Sequence, residues 1–288
     1  MPVDKPAQIE EHDPKFYTFR RDVYLQWAVW AVFAIVAGFL LGGFGVALSL
    51  VILGYLLLST LLRIYHKLQI EQVRHYWQTE ALFSLYSTLK IAHPLPPMRL
   101  WAASPDFVNL AVSLIREHQP RLVVEIGSGV STLVSAYALQ EIGAGQLISL
   151  EHEAAFTQIT ASNLTAHRLE AVAEVHHTPL RSLTLNDEPF RWYDTAALEN
   201  LPAPIDLLIV DGPPSGTGPL ARYPALPVLY ERLRPGAYIL VDDFLRDDEH
   251  HMVNRWLDAY DLIVVQTFAN EKGAAILQKS PPESPSAP

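Results

Sequence analysis

The sequence predicts an α/β protein with a doubly wound, mostly parallel, seven-stranded sheet whose last strand is antiparallel, preceded by a hairpin of two transmembrane helices. From residue 121 onward, short apolar runs alternate with helical patterns, which is typical of such a sheet. Four of these runs end in an acidic residue, namely Glu125, Glu151, Asp211 and Asp242. Before them, residues 23–62 carry no charged side chain, which predicts the membrane segment.

The uncharged segment is long enough for two membrane helices. As one helix it would measure about 60 Å, twice the bilayer core of about 30 Å. The glycine-rich residues 42–45 divide it into two stretches, 23–41 and 44–62, and each stretch fits the bilayer. There are two alternatives to a membrane hairpin. A secretory signal peptide would have one shorter run and a small-residue cleavage site, and a buried core hairpin is the second alternative.

The loop between the two stretches has no basic side chain. The basic side chains that flank the segment are Arg20 and Arg21 before it, and Arg63, Lys67 and Arg74 after it. The positive-inside rule therefore places both termini in the cytoplasm. We expect a multi-pass protein of the cell membrane with a cytoplasmic C-terminal domain, so that the lipid bilayer is one partner of the chain.

The rest of the chain is divided by composition. Residues 1–22 are polar and are interpreted as a cytosolic tail, and residues 66–97 as an amphipathic helix with a proline-rich linker. Residues 98–279 form the predicted domain. Residues 280–288 are rich in Pro and Ser and are interpreted as a disordered tail.

Within the domain, Ser104 and Pro105 are the N-cap and first residue of a helix that runs to about Glu117. Strands are predicted at residues 122–126, 146–150, 173–177, 205–210, 237–241, 262–268 and 274–278, and helices at 131–141, 153–169, 223–233 and 248–260. The last two strands are close enough in sequence for a hairpin, which makes the final strand antiparallel.

Charge and cysteine content exclude several classes of function. Residues 1–65 carry equal numbers of acidic and basic side chains, so the net charge of −10 lies entirely in residues 66–288. An acidic domain is a poor match for a nucleic acid backbone, and no nucleic acid partner is expected. The chain has no cysteine, which excludes disulfides, thiolate metal sites and a cysteine nucleophile.

The stretch LVVEIGSGVST, residues 122–132, is typical of a strand, a tight glycine turn and a helix. A dinucleotide-binding turn needs Gly or Ala where this chain has Thr132, and a carboxylate before the turn would repel a pyrophosphate but suit an ammonium group. The pattern E-x-G-x-G resembles the first motif of class I S-adenosylmethionine (SAM) methyltransferases; an ordinary strand–turn–helix is the alternative. The resemblance implies SAM contacts from Glu125, Gly127, Ser128, Gly129 and Ser131.

Three further residues are candidates for binding the nucleoside part of SAM. Glu151 ends the second strand, where a carboxylate can accept both ribose hydroxyls, as in other nucleoside-binding folds. His152 is a candidate to pack on the adenine, with a surface histidine as the alternative. Leu180 would flank the adenine, at a position where the family often has a small or acidic residue.

Asp211, Asp242 and Asp243 follow the fourth and fifth strands, whose ends face one cleft in a doubly wound sheet. Three carboxylates can hold Mg²⁺ or another divalent cation, and without one they would repel each other and raise at least one pKa. The arrangement resembles catechol-type O-methyltransferases, which implies a cation that lowers the pKa of the acceptor hydroxyl. Asp211 is also assigned to the SAM site. The alternative is helix capping at Asp242 or Asp243 and a structural turn at Asp211.

The catalytic base is where this sequence departs from the catechol-type pattern. That family has a lysine where this chain has Pro214. Asp211 and Asp243 are therefore the catalytic candidates, and His250 and His251 remain alternatives.

A loop rich in Gly and Pro, residues 212–226, predicts a substrate lid. Its Arg222, like Arg246, would either bind an anionic acceptor group or pair with the neighbouring acids. Residues 90–279 contain the stretches WAASPDF, EIGSGVST, VDGPP, ARYPAL and VDDFLRDDE. Through these stretches the range resembles a bacterial-type group of class I methyltransferases, the "methyltransferase 24" kind. This resemblance implies a Rossmann-like fold and SAM as cofactor.

The sequence thus predicts a membrane-anchored SAM-dependent methyltransferase that acts on an oxygen of a small-molecule, glycan or lipid-linked acceptor. One alternative is an aminopropyl-type transferase on the same fold, whose acidic cleft would suit a polyamine. The other is a non-catalytic membrane assembly protein with a degenerate SAM-binding domain. The sequence leaves open whether the chain forms a homo-oligomer.

Overall fold

The computed structural model describes residues 16–198 and 201–281. The chain divides into two compact units, with the boundary between Trp77 and Gln78. Most of the two predicted tails lies outside the described residues.

The first unit consists of helix α1, Phe16–Thr88, as far as Trp77. The helix is interrupted at Gly42, whose φ of 57° and ψ of −138° are not helical. On a continuous helix, residues 37 and 45 would lie about 12 Å apart along the axis. Instead, a Cβ on Gly45 would lie 2.1 Å from the carbonyl oxygen of Ala37. The chain therefore changes direction at Gly42, and side chains from residues 27–35 and 46–53 line one cavity of about 370 Å³.

Large apolar side chains of this unit are exposed, among them Phe39, Leu40, Phe44, Val51 and Tyr55. Contiguous exposed apolar surface on this scale is unusual in a soluble domain. Within the described residues, α1 is the one helix that is long and apolar enough to cross a membrane, as judged by length and composition.

The second unit is built on a mostly parallel sheet. Its strands are β1 (Leu122–Ile126), β2 (Gln146–Glu151), β3 (Ala173–His177), β6 (Ile205–Val210), β7 (Leu233–Asp242), β8 (Leu262–Phe268) and β9 (Ala274–Lys279). Their order is β3-β2-β1-β6-β7-β9-β8, and β9 is antiparallel to both β7 and β8. The predicted seven-stranded sheet with its antiparallel last strand is confirmed.

Helices cover both faces of this sheet: α2 (Pro105–His118), α3 (Val130–Ile142), α4 (Ala154–His167), α5 (Ala225–Leu229) and α6 (Asp247–Ala259). Side chains of β1 alternate between two apolar clusters. Val123 packs with α2, α3 and α4, whereas Leu122 and Val124 pack with α5 and α6. This period of two is what a strand buried on both faces requires.

The structure contains a two-stranded hairpin that the sequence analysis missed. β4 (Leu180–Leu185) and β5 (Glu188–Tyr193) pair with each other and form a separate sheet. The turn consists of Asn186 and Asp187, whose φ values of 51° and 64° are typical of a tight two-residue hairpin turn. The hairpin packs its Phe190 and Trp192 on the α5–α6 face of the sheet.

The helix predicted at residues 223–233 is wrong in extent. The structure has only α5 there, followed by a 3₁₀ turn, Tyr230–Arg232. Pro227 is the third residue of α5, where its missing N–H is one of the donors that a first helical turn leaves unpaired. The remaining chain, from Leu233, already pairs with β6 as the start of β7.

Candidate active site

Acidic side chains from four neighbouring strands lie at the carboxyl-terminal edge of the sheet: Glu125, Glu151, Asp211 and Asp242. The connections through β2 and β3 run in one direction from β1, and those through β6 and β7 run in the other. Ligands of open α/β sheets bind where the strand order reverses in this way. The candidate site therefore lies over the ends of β1 and β6.

The glycine turn after β1 is in close contact with the end of β6. Gly127 has a φ of 103°, and a Cβ there would lie 3.3 Å from the carbonyl carbon and oxygen of Asp211. The turn is held by the Gly127 N–H, which donates to the Leu150 carbonyl, and by the Ser149 hydroxyl, which donates to the Gly127 carbonyl. Gly129 then precedes the first residue of α3. The turn thus points the N-terminus of α3 toward the site.

Glu125 is fully buried beneath this turn. Burial is the main reason why its pKa rises to about 7, and hydrogen bonds from Ser131, Thr132 and Ser149 oppose that rise. The Thr132 hydroxyl lies 2.6 Å from Glu125 Oε2 and 3.0 Å from the Gly129 nitrogen, so it links the carboxyl to the turn. The Oε1 atom has no hydrogen-bond partner among the described residues. With a pKa of about 7, Glu125 is partly protonated at neutral pH.

Glu151 lies at the end of β2 and is mostly buried. The Ser128 hydroxyl donates to its Oε2 at 2.9 Å, and the Glu153 N–H donates to its Oε1 at 3.0 Å. His152 Nδ1 is also 3.0 Å from Oε1, but it is not aligned for a hydrogen bond. Burial alone would raise the pKa of Glu151; the adjacent His152 and the two donors outweigh it and hold the pKa below its ordinary value. Glu151 is thus a carboxylate at neutral pH.

Three other predicted SAM-binding residues lie on the elements that follow Glu125 and Glu151. Ser131 is buried in the first turn of α3. Leu180 is half-buried at the start of β4, where it pairs with Tyr193 of β5. The His152 ring makes an edge contact with the Tyr193 ring at 6.0 Å between centroids. The hairpin therefore brings Leu180 and His152 to the same side of the site.

Tyr193 is the site residue that sequence reasoning missed. Its hydroxyl is buried and has no hydrogen-bond partner among the described residues. A Cβ on Gly212 would lie 2.5 Å from this hydroxyl oxygen, which places it beside the contact between the glycine turn and β6. Burial first, and then the charge of Glu151, raise the pKa of Tyr193 well above 10, so the hydroxyl stays protonated. A buried donor without an acceptor indicates a place where a ligand could accept a hydrogen bond.

The three predicted metal ligands do come together. Asp211, Asp242 and Asp243 each offer an oxygen, and these oxygens lie within 4.8 Å of one another. Burial, followed by repulsion from Asp211 and Asp243, holds the pKa of Asp242 well above its usual value. Burial also raises the pKa of Asp211, although Arg222 partly offsets this. The expectation that at least one pKa rises is consistent with these directions.

Arg222 lies inside this group of carboxylates, and its side chain is only 4% exposed. Its Nη2 donates to Asp243 Oδ2 at 2.7 Å and to Asp211 Oδ1 at 3.2 Å. Its Nη1 donates to the Asp242 carbonyl at 3.1 Å, and its Nε lies 3.7 Å from Glu249 Oε1. Of the two alternatives for Arg222, the structure shows the pairing with acids.

Two further basic residues face the same carboxylates. Arg246 Nη1 lies 2.9 Å from Asp243 Oδ2, and Lys272 Nζ lies 3.8 Å from Asp242 Oδ2. A Mg²⁺ ion needs oxygen ligands at about 2.0–2.1 Å in octahedral geometry. Arg222 Nη2 already bonds to Oδ1 of Asp211 and Oδ2 of Asp243, and a second cation there would repel the guanidinium. The residues present therefore do not fit a divalent cation.

The two histidines considered as alternative bases lie on α6. His250 makes a ring contact with Phe244 at 5.4 Å, and His251 is exposed. Asp211, by contrast, is in the site itself and keeps a partly exposed side chain. Asp211, and neither histidine, belongs to the carboxylate group.

Part of the second unit matches a known protein family. A family model described as a methyltransferase domain (Methyltransf_24) matches residues 124–244. No curated protein matches the chain at a significant level. The matched range runs from β1 to just past β7 and contains the glycine turn, Glu151, Arg222 and all three aspartates.

Solved structures share the fold. The O-methyltransferase TomG from Streptomyces achromogenes, in complex with SAM, is 19% identical, with 72% of this chain and 98% of that chain covered and a TM-score of 0.50. The SAH-bound Podospora anserina methyltransferase PaMTH1 is 14% identical, with 74% and 95% covered and a TM-score of 0.51. At these identities the similarity shows the fold. The matched methyltransferase domain, which covers less than half of the chain, supports a SAM-dependent methyltransferase.

Proposed function

We propose that this protein binds SAM at the glycine turn and transfers its methyl group to an oxygen of an acceptor bound near Asp211. The observation that carries the proposal is the contact between Gly127 and Asp211. It joins the predicted cofactor turn to the acidic group on the next strand. When bound, SAM supplies an electrophilic methyl group on a sulfonium sulfur.

The cofactor residues fall into two groups. Gly127, Ser128, Gly129 and Ser131 surround the methionine part, and the charge of Glu125 below them favours its ammonium group. Glu151 accepts the ribose hydroxyls, and His152 and Leu180 flank the adenine. This division is supported by the order of the residues along the edge of the sheet, from β1 to β2 and the hairpin.

Asp211 is proposed as the base that takes the proton from the acceptor oxygen. Asp243 is the weaker candidate because it pairs with both Arg222 and Arg246. Holding the acceptor oxygen in line with the methyl group supplies much of the rate in such a displacement. The description of TomG as an O-methyltransferase is consistent with oxygen as the acceptor atom.

We further propose that the two parts of α1 on either side of Gly42 are membrane-spanning helices, with both termini and the methyltransferase domain in the cytoplasm. The exposed apolar side chains and the change of chain direction at Gly42 support two spans. The linker, domain and tail boundaries at residues 66, 98 and 280 belong to the same proposal.

An acceptor with an apolar part, such as a lipid-linked glycan precursor, is favoured by one loop of the second unit. Leu100 and Trp101 are 88% and 93% exposed. The Lys272 ammonium donates to the carbonyl of the neighbouring Ala102 and faces Asp242. The loop therefore presents apolar surface beside the acidic group.

Calorimetric titration of SAM into the full-length protein in detergent tests the cofactor site. Glu151→Gln keeps the shape but weakens the acceptor of the ribose hydroxyls, and we expect SAM to bind about tenfold more weakly or worse. Glu170→Gln is the matched control, because it makes the same change at an exposed glutamate of the same domain. Unchanged binding by Glu151→Gln would contradict the assignment.

The same preparation separates the alternatives. A folded wild-type protein that binds no SAM would favour the non-catalytic assembly protein. Mass spectrometry of products formed by isolated membranes would distinguish methyl from aminopropyl transfer.

A further inference from the structure

We infer that Arg222 is a built-in cation that takes the place of a divalent metal at Asp211, Asp242 and Asp243, and that its removal turns these carboxylates into a metal site. The inference deepens the proposed function and rests on it for the role of Asp211. It assigns Arg222 as a positioning residue, since this side chain touches the base and is shielded from an acceptor.

The guanidinium is fixed in place by groups other than the carboxylates. Its Nη1 bonds to the carbonyl of Asp242, and its Nε lies 3.5 Å from the carbonyl of Pro213. These carbonyls follow or end neighbouring strands, β6 and β7, so the backbone itself orients the side chain. An arginine held in this way is always charged and presents its donors in a rigid plane.

The charges of the group balance without a metal. Asp211, Asp243 and Glu249 face Arg222, while Arg246 and Lys272 approach from the rim. Asp242 is fully buried, and both of its carboxyl oxygens lack a hydrogen-bond donor among the described residues, which favours its protonated form. Arg222 and Arg246 then face Asp211, Asp243 and Glu249, and Lys272 lies beside the buried Asp242.

Arg222 acts on a different group from the one that a metal would act on. A metal would bind the acceptor oxygen directly and lower its pKa. Arg222 is buried and instead stabilises the anionic form of Asp211, through a 3.2 Å hydrogen bond. The acceptor then needs only one reactive oxygen and no second hydroxyl to chelate a cation.

Mn²⁺ binding, measured by electron paramagnetic resonance on the full-length protein in detergent, tests this inference with Mn²⁺ alone as the probe. We expect no saturable site in the wild type and about one bound Mn²⁺ per chain in Arg222→Gln. In the double variant Arg222→Gln/Asp211→Asn, the site should be lost again. Arg246→Gln is the control: this arginine also contacts Asp243, but it is 41% exposed, and it should not create a site.

Two results would overturn the inference. One is a saturable Mn²⁺ site in the wild type that Asp211→Asn removes. The other is a folded Arg222→Gln protein that binds no Mn²⁺, because the carboxylates would then not be a latent metal site. If circular dichroism shows that Arg222→Gln is unfolded, the wild-type titration and methyl transfer in EDTA decide. Activity that EDTA abolishes and Mg²⁺ restores would count against the inference.

SAM titration of the same samples distinguishes a failure of the inference about Arg222 from a failure of the proposed function. A wild type that binds SAM and also binds Mn²⁺ at Asp211 keeps the proposed function and loses the inference. A wild type that does not bind SAM loses the proposed function, and the inference with it.

Discussion

At Glu125, burial and hydrogen bonding act in opposite directions on one carboxyl group. Burial raises its pKa to about 7, and the hydroxyls of Ser131, Thr132 and Ser149 limit the rise. At neutral pH the group therefore lies near its midpoint, so a cationic ligand can shift it to the charged form. The protonation of Glu125 therefore links the stability of the fold to pH at the glycine turn.

The pH dependence has a definite sign. Between the ordinary value of 4.5 and about 7, folded Glu125 keeps a proton that the unfolded chain has lost. Stability contributed by this group is therefore present below pH 4.5 and falls as the pH rises through 7, by up to roughly 3 kcal/mol. Glu125→Gln should remove this loss of stability, because glutamine does not titrate. The thermal midpoint of the variant minus that of the wild type should therefore be larger at pH 8 than at pH 5.

Thermal midpoints by circular dichroism at both pH values check the prediction. Glu170→Gln serves as control, because Glu170 is an exposed glutamate of the same domain. A midpoint difference between Glu125→Gln and wild type that does not change with pH would contradict it.

At the scale of elements, the site depends on how closely the turn after β1 approaches the end of β6. Gly127 combines a φ of 103° with a backbone neighbour 3.3 Å from its would-be Cβ. Backbone atoms of Asp211 cannot move aside as a flexible side chain could. The turn and the proposed base are therefore positioned by one contact.

Gly127→Ala is expected to destabilise the protein by about 1–3 kcal/mol, because alanine is strained at this φ. It should also weaken SAM binding, since relief of the contact must shift the turn or β6. Thermal melting and SAM calorimetry measure the two effects. Gly216→Ala, where a Cβ would meet open space, should change neither. If Gly127→Ala is as stable as the wild type, the contact between Gly127 and Asp211 is not tight.

Elements with a strong local pattern could be predicted, and the others could not. Six of the seven sheet strands agree with their predicted bounds to within one residue, whereas β7 begins at Leu233, four residues before its predicted start. The β4–β5 hairpin was missed because its turn, Asn186-Asp187, lacks the glycine that usually marks such turns. Tyr193 was missed with it. The partners of Arg222 could only be left as alternatives, because they depend on how the loops after β6 and β7 meet in space.

At the scale of the whole molecule, the chain joins an apolar helical segment to an acidic domain and has no cysteine. The last property makes the proposed topology directly testable, since any single cysteine becomes a unique label. Gly43→Cys lies in the proposed loop between spans, and Glu170→Cys lies on the exposed surface of the domain.

In intact cells, a membrane-impermeant maleimide should label Gly43→Cys but reach Glu170→Cys only after lysis, because the positive-inside rule places the domain in the cytoplasm. Mass tagging on gels reads out both, and the cysteine-free wild type gives the background. Labelling of Glu170→Cys in intact cells would contradict the orientation. Failure to label Gly43→Cys before lysis, with labelling afterwards, would contradict two spans.

The hydrogen bond from Ser128 to Glu151 has a consequence for the proposed exchange of cofactor. Ser128 lies 2.9 Å from the carboxylate and 3.1 Å from the Thr160 hydroxyl. Under the proposed ribose contact, a ribose hydroxyl would take over the donation that Ser128 makes to Glu151, and the Thr160 hydroxyl would remain as a partner for the serine. The carboxylate would then keep a donor both with and without the cofactor, so the cofactor product could leave without exposing an unpaired buried charge.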